Sequence, residues 1–167
     1  MQALIRFFVE LCLLRRAPQD LPAADILFWI GLAANLVVGV PVGLAFGLGF
    51  GSSLAQGIAE LAFQLGLLFA ALKIAGHLGR FTQSATALLG SGAVLGLLAW
   101  GPIVLSRADG VESDAAALNA FMLFALYVWN LVVIGHILRH TFGVTLAQGV
   151  VVALLVMELI AAMVGAG

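Results

Sequence analysis

The chain reads as an all-α protein, a polytopic transmembrane helical bundle of about five spans preceded by an N-terminal interfacial amphipathic helix. Three observations point there. Of its 167 residues, 63% are hydrophobic and only 9% are charged, whereas a soluble domain carries roughly 25% charged residues. Apolar runs of spanning length recur along the chain, each close to the ~20 residues that cross a hydrocarbon core. The few charges fall between those runs and divide unequally between the two sides. With seven Lys and Arg against eight Asp and Glu, there is no basic excess to hold nucleic acid. A single cysteine excludes a disulfide scaffold.

The elements follow in chain order. Residues 1–16, MQALIRFFVELCLLRR, place Gln2, Arg6 and Glu10 on one helical face and Leu4, Phe7, Phe8, Leu11 and Leu14 around the rest. That pattern predicts a helix in the headgroup plane. It is not a secretory signal, because Arg15 and Arg16 follow the apolar stretch. Ala17-Pro18 should end it, and Asp25 is placed to cap the next helix. The transmembrane domain then occupies 25–167, with spans at approximately 26–50, 54–76, 85–106, 117–138 and 144–164. Helices are required because lipid offers the backbone no hydrogen-bond partner. The runs are too long for barrel strands and lack their alternation.

Charge sets the orientation. With the N-terminus inside, Arg6, Arg15, Arg16, Lys73, Arg80 and Arg139 all fall on the cytoplasmic side. Arg107 stands alone opposite, beside Asp109, Glu112 and Asp114. This six-to-one division predicts a cytoplasmic N-terminus and, with an odd span count, a C-terminus outside.

Ionisable and polar residues inside spans are functional candidates. Glu60 and Gln64, four apart, share a face of the second span; Asn130 lies in the fourth and Glu158 in the fifth. Counting from the turns puts Glu60 about 9 Å below the outer surface and Glu158 at comparable depth. At the cytoplasmic turns, Gly-His-x-x-Arg occurs twice, as His77 with Arg80 and as His136 with Arg139, 59 residues apart. These groups could anchor the interface or meet a lipid phosphate or a partner's acidic group. Gly31, Asn35, Gly39, Gly43 and Gly47 form a small-residue stripe at a step of four, suited to close helix packing within the chain or across an oligomer seam. Pro41 interrupts the same helix.

No Gly-rich phosphate loop, serine elbow, haem motif or zinc signature is present, and no Cys or carboxylate shares the spacing of the histidines. A non-enzymatic protein without metal or cofactor is expected. Its role would be to bind a membrane partner or organise its local bilayer, with membrane lipids, a second copy or another membrane protein as partners. The competing expectation is a small proton- or cation-coupled transporter or channel component using Glu60 and Glu158.

The stretch Leu126-Tyr-Val-Trp129-Asn-Leu-Val-Val-Ile-Gly135-His136, followed by Phe142-Gly-Val-Thr145-Leu-Ala147 and the run Val150–Leu155, resembles the C-terminal part of the Yip family of Rab-interacting-type membrane proteins and their bacterial relatives. Trp129, Gly135 and Ala147 stand where that family has a Trp and a Gly late in span four and an Ala opening span five. The resemblance covers residues 115–160 and implies about five spans and a cytoplasmic N-terminus. The chain departs from eukaryotic members in having almost no cytoplasmic N-terminal domain, so the resemblance implies a bacterial inner-membrane relative of unassigned role and no catalytic residues.

Overall fold

The computed structural model describes residues 2–45, 47–108 and 114–165. Asp109, Glu112 and Gly167, used above for orientation, lie outside them. Among the described residues six α-helices follow one another: α1 (Gln2–Cys12), α2 (Asp25–Ala45), α3 (Phe50–Ile74), α4 (Phe81–Ala108), α5 (Asp114–Phe142) and α6 (Leu146–Gly165). Single 3-10 turns at Pro18–Asp20 and Leu78–Arg80 precede α2 and α4.

Among the described residues four stretches are long and apolar enough to cross a membrane: Asp25–Ala45, Phe50–Ile74, Leu78–Ser106 and Ala116–Phe142. The apolar part of α6, Leu146–Ala162, is shorter. The outside of the bundle is studded with large apolar side chains, among them Val37, Leu97, Phe121, Phe124 and Leu155, each more than half exposed. Such a surface suits lipid and not water.

Helix ends are set by backbone chemistry. Gly47 (φ +83°) and Gly76 (φ +73°) take the left-handed conformation just past α2 and α3. The amides that follow them reach back five residues, Leu48 N–H to the Gly43 carbonyl (3.2 Å) and His77 N–H to the Leu72 carbonyl (2.9 Å), closing both helices with Schellman turns. The first of these corrects the expected spans. Gly51, Ser52 and Ser53, which fall between the expected spans 26–50 and 54–76, belong to α3, and α2 ends near Ala45 instead of residue 50. α1 also stops early, at Cys12, because Leu14 takes φ +61° and Arg15 N–H bonds the Glu10 carbonyl (2.9 Å). α6 opens with a reciprocal capping box: Gln148 N–H donates to Thr145 Oγ1 (3.3 Å) and Thr145 N–H to Gln148 Oε1 (3.0 Å).

α4 is the hub. Ser84 to Ser91, more than two turns, are all buried, so this segment is covered on every side. α2 runs parallel to it: Gly31 sits on Leu89, Asn35 on Gly92 and Val38 on Gly96. α5 returns antiparallel, with the Ser84 and Thr141 hydroxyls 2.8 Å apart. α5 and α6 cross where Gly135 meets Val150 and Gly149 meets the Gly135 carbonyl. Lipid is as apolar as leucine, so helices gain little by burying apolar surface against each other, and close contact at small residues supplies the attraction instead.

α1 is not free of the bundle. Phe8, Leu11 and Cys12 are buried, and the Phe8 ring occupies the space a side chain at Gly90 would need. Its opposite side holds an ion cluster in which Glu10 accepts from Arg6 Nε (2.8 Å) and Arg16 Nε (3.0 Å). The chain leaving α1 is clasped through its carbonyls: Trp129 Nε1–H donates to Cys12 (2.8 Å), Gln83 Nε2–H to Leu21 (2.7 Å), and His136 Nε2 lies 2.8 Å from the Arg16 oxygen.

Candidate functional site

The polar residues of α3 recur at helical spacing, Ser53, Gln56, Glu60 and Gln64, and therefore share one face. That face looks across a cleft of about 580 Å³ toward Asn35, Gly39 and Gly43 of α2, Gly92 and Gly96 of α4, Asn130 and Ile134 of α5, and Met157 and Ile160 of α6. Small residues line its far wall. At Gly92 and Gly96 a β-carbon would lie 2.7 Å from Asn35 Nδ2 and from Val38 Cγ1, so α2 approaches α4 more closely than any side chain there would permit. At Gly39 nothing lies within 4 Å, and the wall is open.

The polar groups are only partly engaged with one another. Gln56 Nε2–H donates to Glu60 Oε1 (3.1 Å) and Asn35 Nδ2–H to the Leu89 carbonyl (3.1 Å). Asn130 Nδ2–H donates to Met157 Sδ (3.6 Å). Ser53 is 4% exposed, and among the described residues its Oγ has no hydrogen-bond partner. Among the described residues the Gln64 amide makes no side-chain hydrogen bond, and Glu60 has no Lys, Arg or His partner. Beyond Gln64 the character changes. A small apolar space of about 90 Å³, lined by Leu68, Leu88, Ile134, Leu138 and Phe142, continues toward the end of the bundle where α5 finishes. The polar cleft thus extends from the α2–α3 turn and gives way beyond Gln64 to an apolar space.

The sequence-derived candidates separate as follows. Glu60, Gln64 and Asn130 share the cleft. Glu158 does not line it: it is exposed and accepts a hydrogen bond from Tyr127 Oη (3.0 Å). The two-carboxylate arrangement required by the transporter reading is therefore not formed. Residue counting placed both glutamates at similar depth, but Met157 and Ile160 face the cleft and Glu158 is rotated about 100° from Met157 around the helix.

The stripe on α2 divides too. Gly31 packs on Leu89, Asn35 bonds α4, and Gly43 packs on Ser53, while Gly39 opens to the cleft and Gly47 lies past the helix end. The repeated Gly-His-x-x-Arg motifs occupy unlike places. His77 is exposed in the turn after α3, whereas His136 is buried inside α5. Gly76 corresponds structurally to Gly143 (φ +73°), not to Gly135. Arg80 Nη1–H donates to the Thr141 carbonyl (2.8 Å) at the end of α5, and Arg139 is exposed elsewhere on that end. These four residues form no common site.

Ser53 and Gln56 complete the α3 polar face and were passed over. Their signal was present, since Gln56, Glu60 and Gln64 recur at a step of four. Among the described residues no group of three or more His, Cys, Asp or Glu could hold a metal ion.

No family model matches the chain, and no curated protein or solved structure is matched by it. The likeness of residues 115–160 to the Yip proteins therefore carries no family-level identity. In this structure Trp129 and Gly135 serve the clasp on Cys12 and the α5–α6 crossing. Fold and surface together define the class: a polytopic, all-helical integral membrane protein.

Proposed function

We propose that this is a non-enzymatic membrane protein that works by binding a molecule of the bilayer in the cleft between α2, α3 and α6. Convergence of Asn35, Ser53, Glu60, Gln64 and Asn130 from three helices on one cleft carries the reading. Polar groups at membrane depth are costly unless they are satisfied, and helix packing alone would place them against one another. The apolar lining beyond Gln64 favours binding over conduction of ions. In this reading α6 is the fifth span and the N-terminus faces the cytoplasm, as the six-to-one division of Lys and Arg supports. The membrane is one bordering the cytoplasm, as a bacterial inner membrane does. α1 lies at the cytoplasmic interface, with Arg6 and Arg16 exposed beside Glu10. The α2 stripe serves packing within the chain, supported by the contacts of Gly31, Asn35 and Gly43.

Native mass spectrometry of protein extracted from membranes tests the reading. The wild type should retain a membrane-derived molecule, and Gly39→Phe, which fills the cleft from a position with open space around it, should lose it. Equal occupancy in the two proteins, or none in either, overturns the reading.

A further inference from the structure

We infer that the cleft is selective for lipophilic organic cations, held by Glu60; this rests on the reading above and names the ligand class. The argument begins with charge. Among the described residues Glu60 is the one ionisable group lining the cleft, and its carboxylate is met there only by the Gln56 amide. A carboxylate that stays ionised in a low-dielectric setting needs a compensating positive charge. Among the described residues no Lys, Arg or His supplies one, since both ion pairs of the structure belong to Glu10. The same composition disfavours phosphate, sulfate and carboxylate ligands, which would meet Glu60 with no basic residue to offset it.

The remaining polar groups agree. Ser53 Oγ is buried, lines the cleft and is unpartnered among the described residues, so it has a lone pair to direct at a positive centre. Asn35 spends its amide N–H on the Leu89 carbonyl, which leaves its side-chain oxygen free to accept. Acceptor oxygens around one carboxylate make a field that attracts cations. Leu36, Val38, Leu61 and Ile160 supply the apolar wall for a hydrocarbon or aromatic body. The volume, about 580 Å³, falls within the ~300–1,000 Å³ of sites that enclose small organic ligands. A bare metal ion would leave most of that space and its apolar wall unused.

The test uses two probes of one shape and opposite charge, tetraphenylphosphonium and tetraphenylborate, with the full chain in detergent and equilibrium dialysis as the readout. Tetraphenylphosphonium should bind saturably at one site per chain and tetraphenylborate should not. Glu60→Gln should weaken the cation at least tenfold, Glu60→Asp should retain it within a few-fold, and Gly39→Phe should abolish it. Glu158→Gln, outside the cleft, should bind as the wild type does. Binding of both probes, or cation binding unchanged in Glu60→Gln, overturns the inference and leaves an unselective apolar cleft. Saturable binding of neither probe also overturns it. The proposed function is judged separately by the native mass spectra, because a neutral membrane molecule lost from Gly39→Phe would uphold the cleft while refuting the cation. If Glu60→Gln fails to fold, the contrast between the two probes on the wild type and on Glu60→Asp decides the inference.

Discussion

Leu14 is the one non-glycine residue with positive φ among those described, at +61°. A side chain in that conformation costs about 1–2 kcal/mol, and a glycine there returns roughly half of this as extra freedom of the unfolded chain. Leu14→Gly should therefore raise the stability of α1 docking by about 0.5 kcal/mol, seen as a small upward shift of the thermal midpoint in detergent. A lower midpoint would show that the side chain's packing outweighs the strain. Two residues away, burial pushes the Cys12 thiol up to about 11, so it is almost wholly protonated at neutral pH. Maleimide should label it many-fold more slowly than a free cysteine, and Trp129→Phe, which removes the donor to the Cys12 carbonyl, should speed the labelling. Glu10 behaves oppositely. Hydrogen bonds from Arg6 and then Arg16 hold its carboxyl below the usual carboxylate value. Its contribution is complete above that usual value and fades as pH falls through the lowered native one. An acid titration of α1 docking should lose this component in Glu10→Gln; identical titrations would show that the ion cluster is ornamental, as exposed pairs often are.

At the scale of helices, packing depends on where a side chain is forbidden. A β-carbon at Gly149 would run into the Gly135 backbone, which cannot rotate away as a side chain can. Gly149→Val should destabilise the α5–α6 crossing by about 1–3 kcal/mol. Gly66, with nothing within 4 Å, is the control: Gly66→Ala should be neutral or stabilising through helix propensity. Denaturation of both variants in mixed micelles checks the contrast, and similar losses for the two would show that the crossing is not tightly packed. α4 presents the same principle on several sides, since Gly90 admits Phe8, Gly92 admits Asn35 and Gly96 admits Val38. One helix thereby accepts both α1 and α2 in close contact.

For the whole molecule, two expectations concern orientation and assembly. A reporter placed at Gln83 should appear in the cytoplasm and one after Gly167 on the other side. A C-terminal reporter in the cytoplasm would mean that α6 does not cross. Gly43→Leu should lower thermal stability without changing the molecular mass in detergent, because a β-carbon there would lie 2.7 Å from Ser53 Oγ of the same chain. Clean conversion of a dimer into a stable monomer would instead assign the stripe to an intermolecular seam. The cleft is itself a property of this scale, since α3 contributes its polar face while α2, α4, α5 and α6 contribute the walls.

Class and helix content were legible in composition and run length, since an unsatisfied backbone in lipid permits few alternatives. The polar face of α3 was legible too, because Gln56, Glu60 and Gln64 recur at helical spacing. Depth could be counted at 1.5 Å per residue, and this brought Glu60 and Glu158 to one level. Azimuth could not be counted, because the rotation of each helix depends on which neighbour its small residues admit. Glu158 consequently meets Tyr127 on the outside of the bundle, and Glu60 faces Asn35 and Asn130 across the cleft. The boundary between α2 and α3 was hidden for a related reason: of several glycines between Gly43 and Gly51, packing and hydrogen bonding select Gly47 to take positive φ. The same limit applies to the paired Gly-His-x-x-Arg motifs. Three identical residues cannot tell a turn from the interior of a helix, and it is α5's continuation to Phe142 that buries His136 while His77 stays exposed.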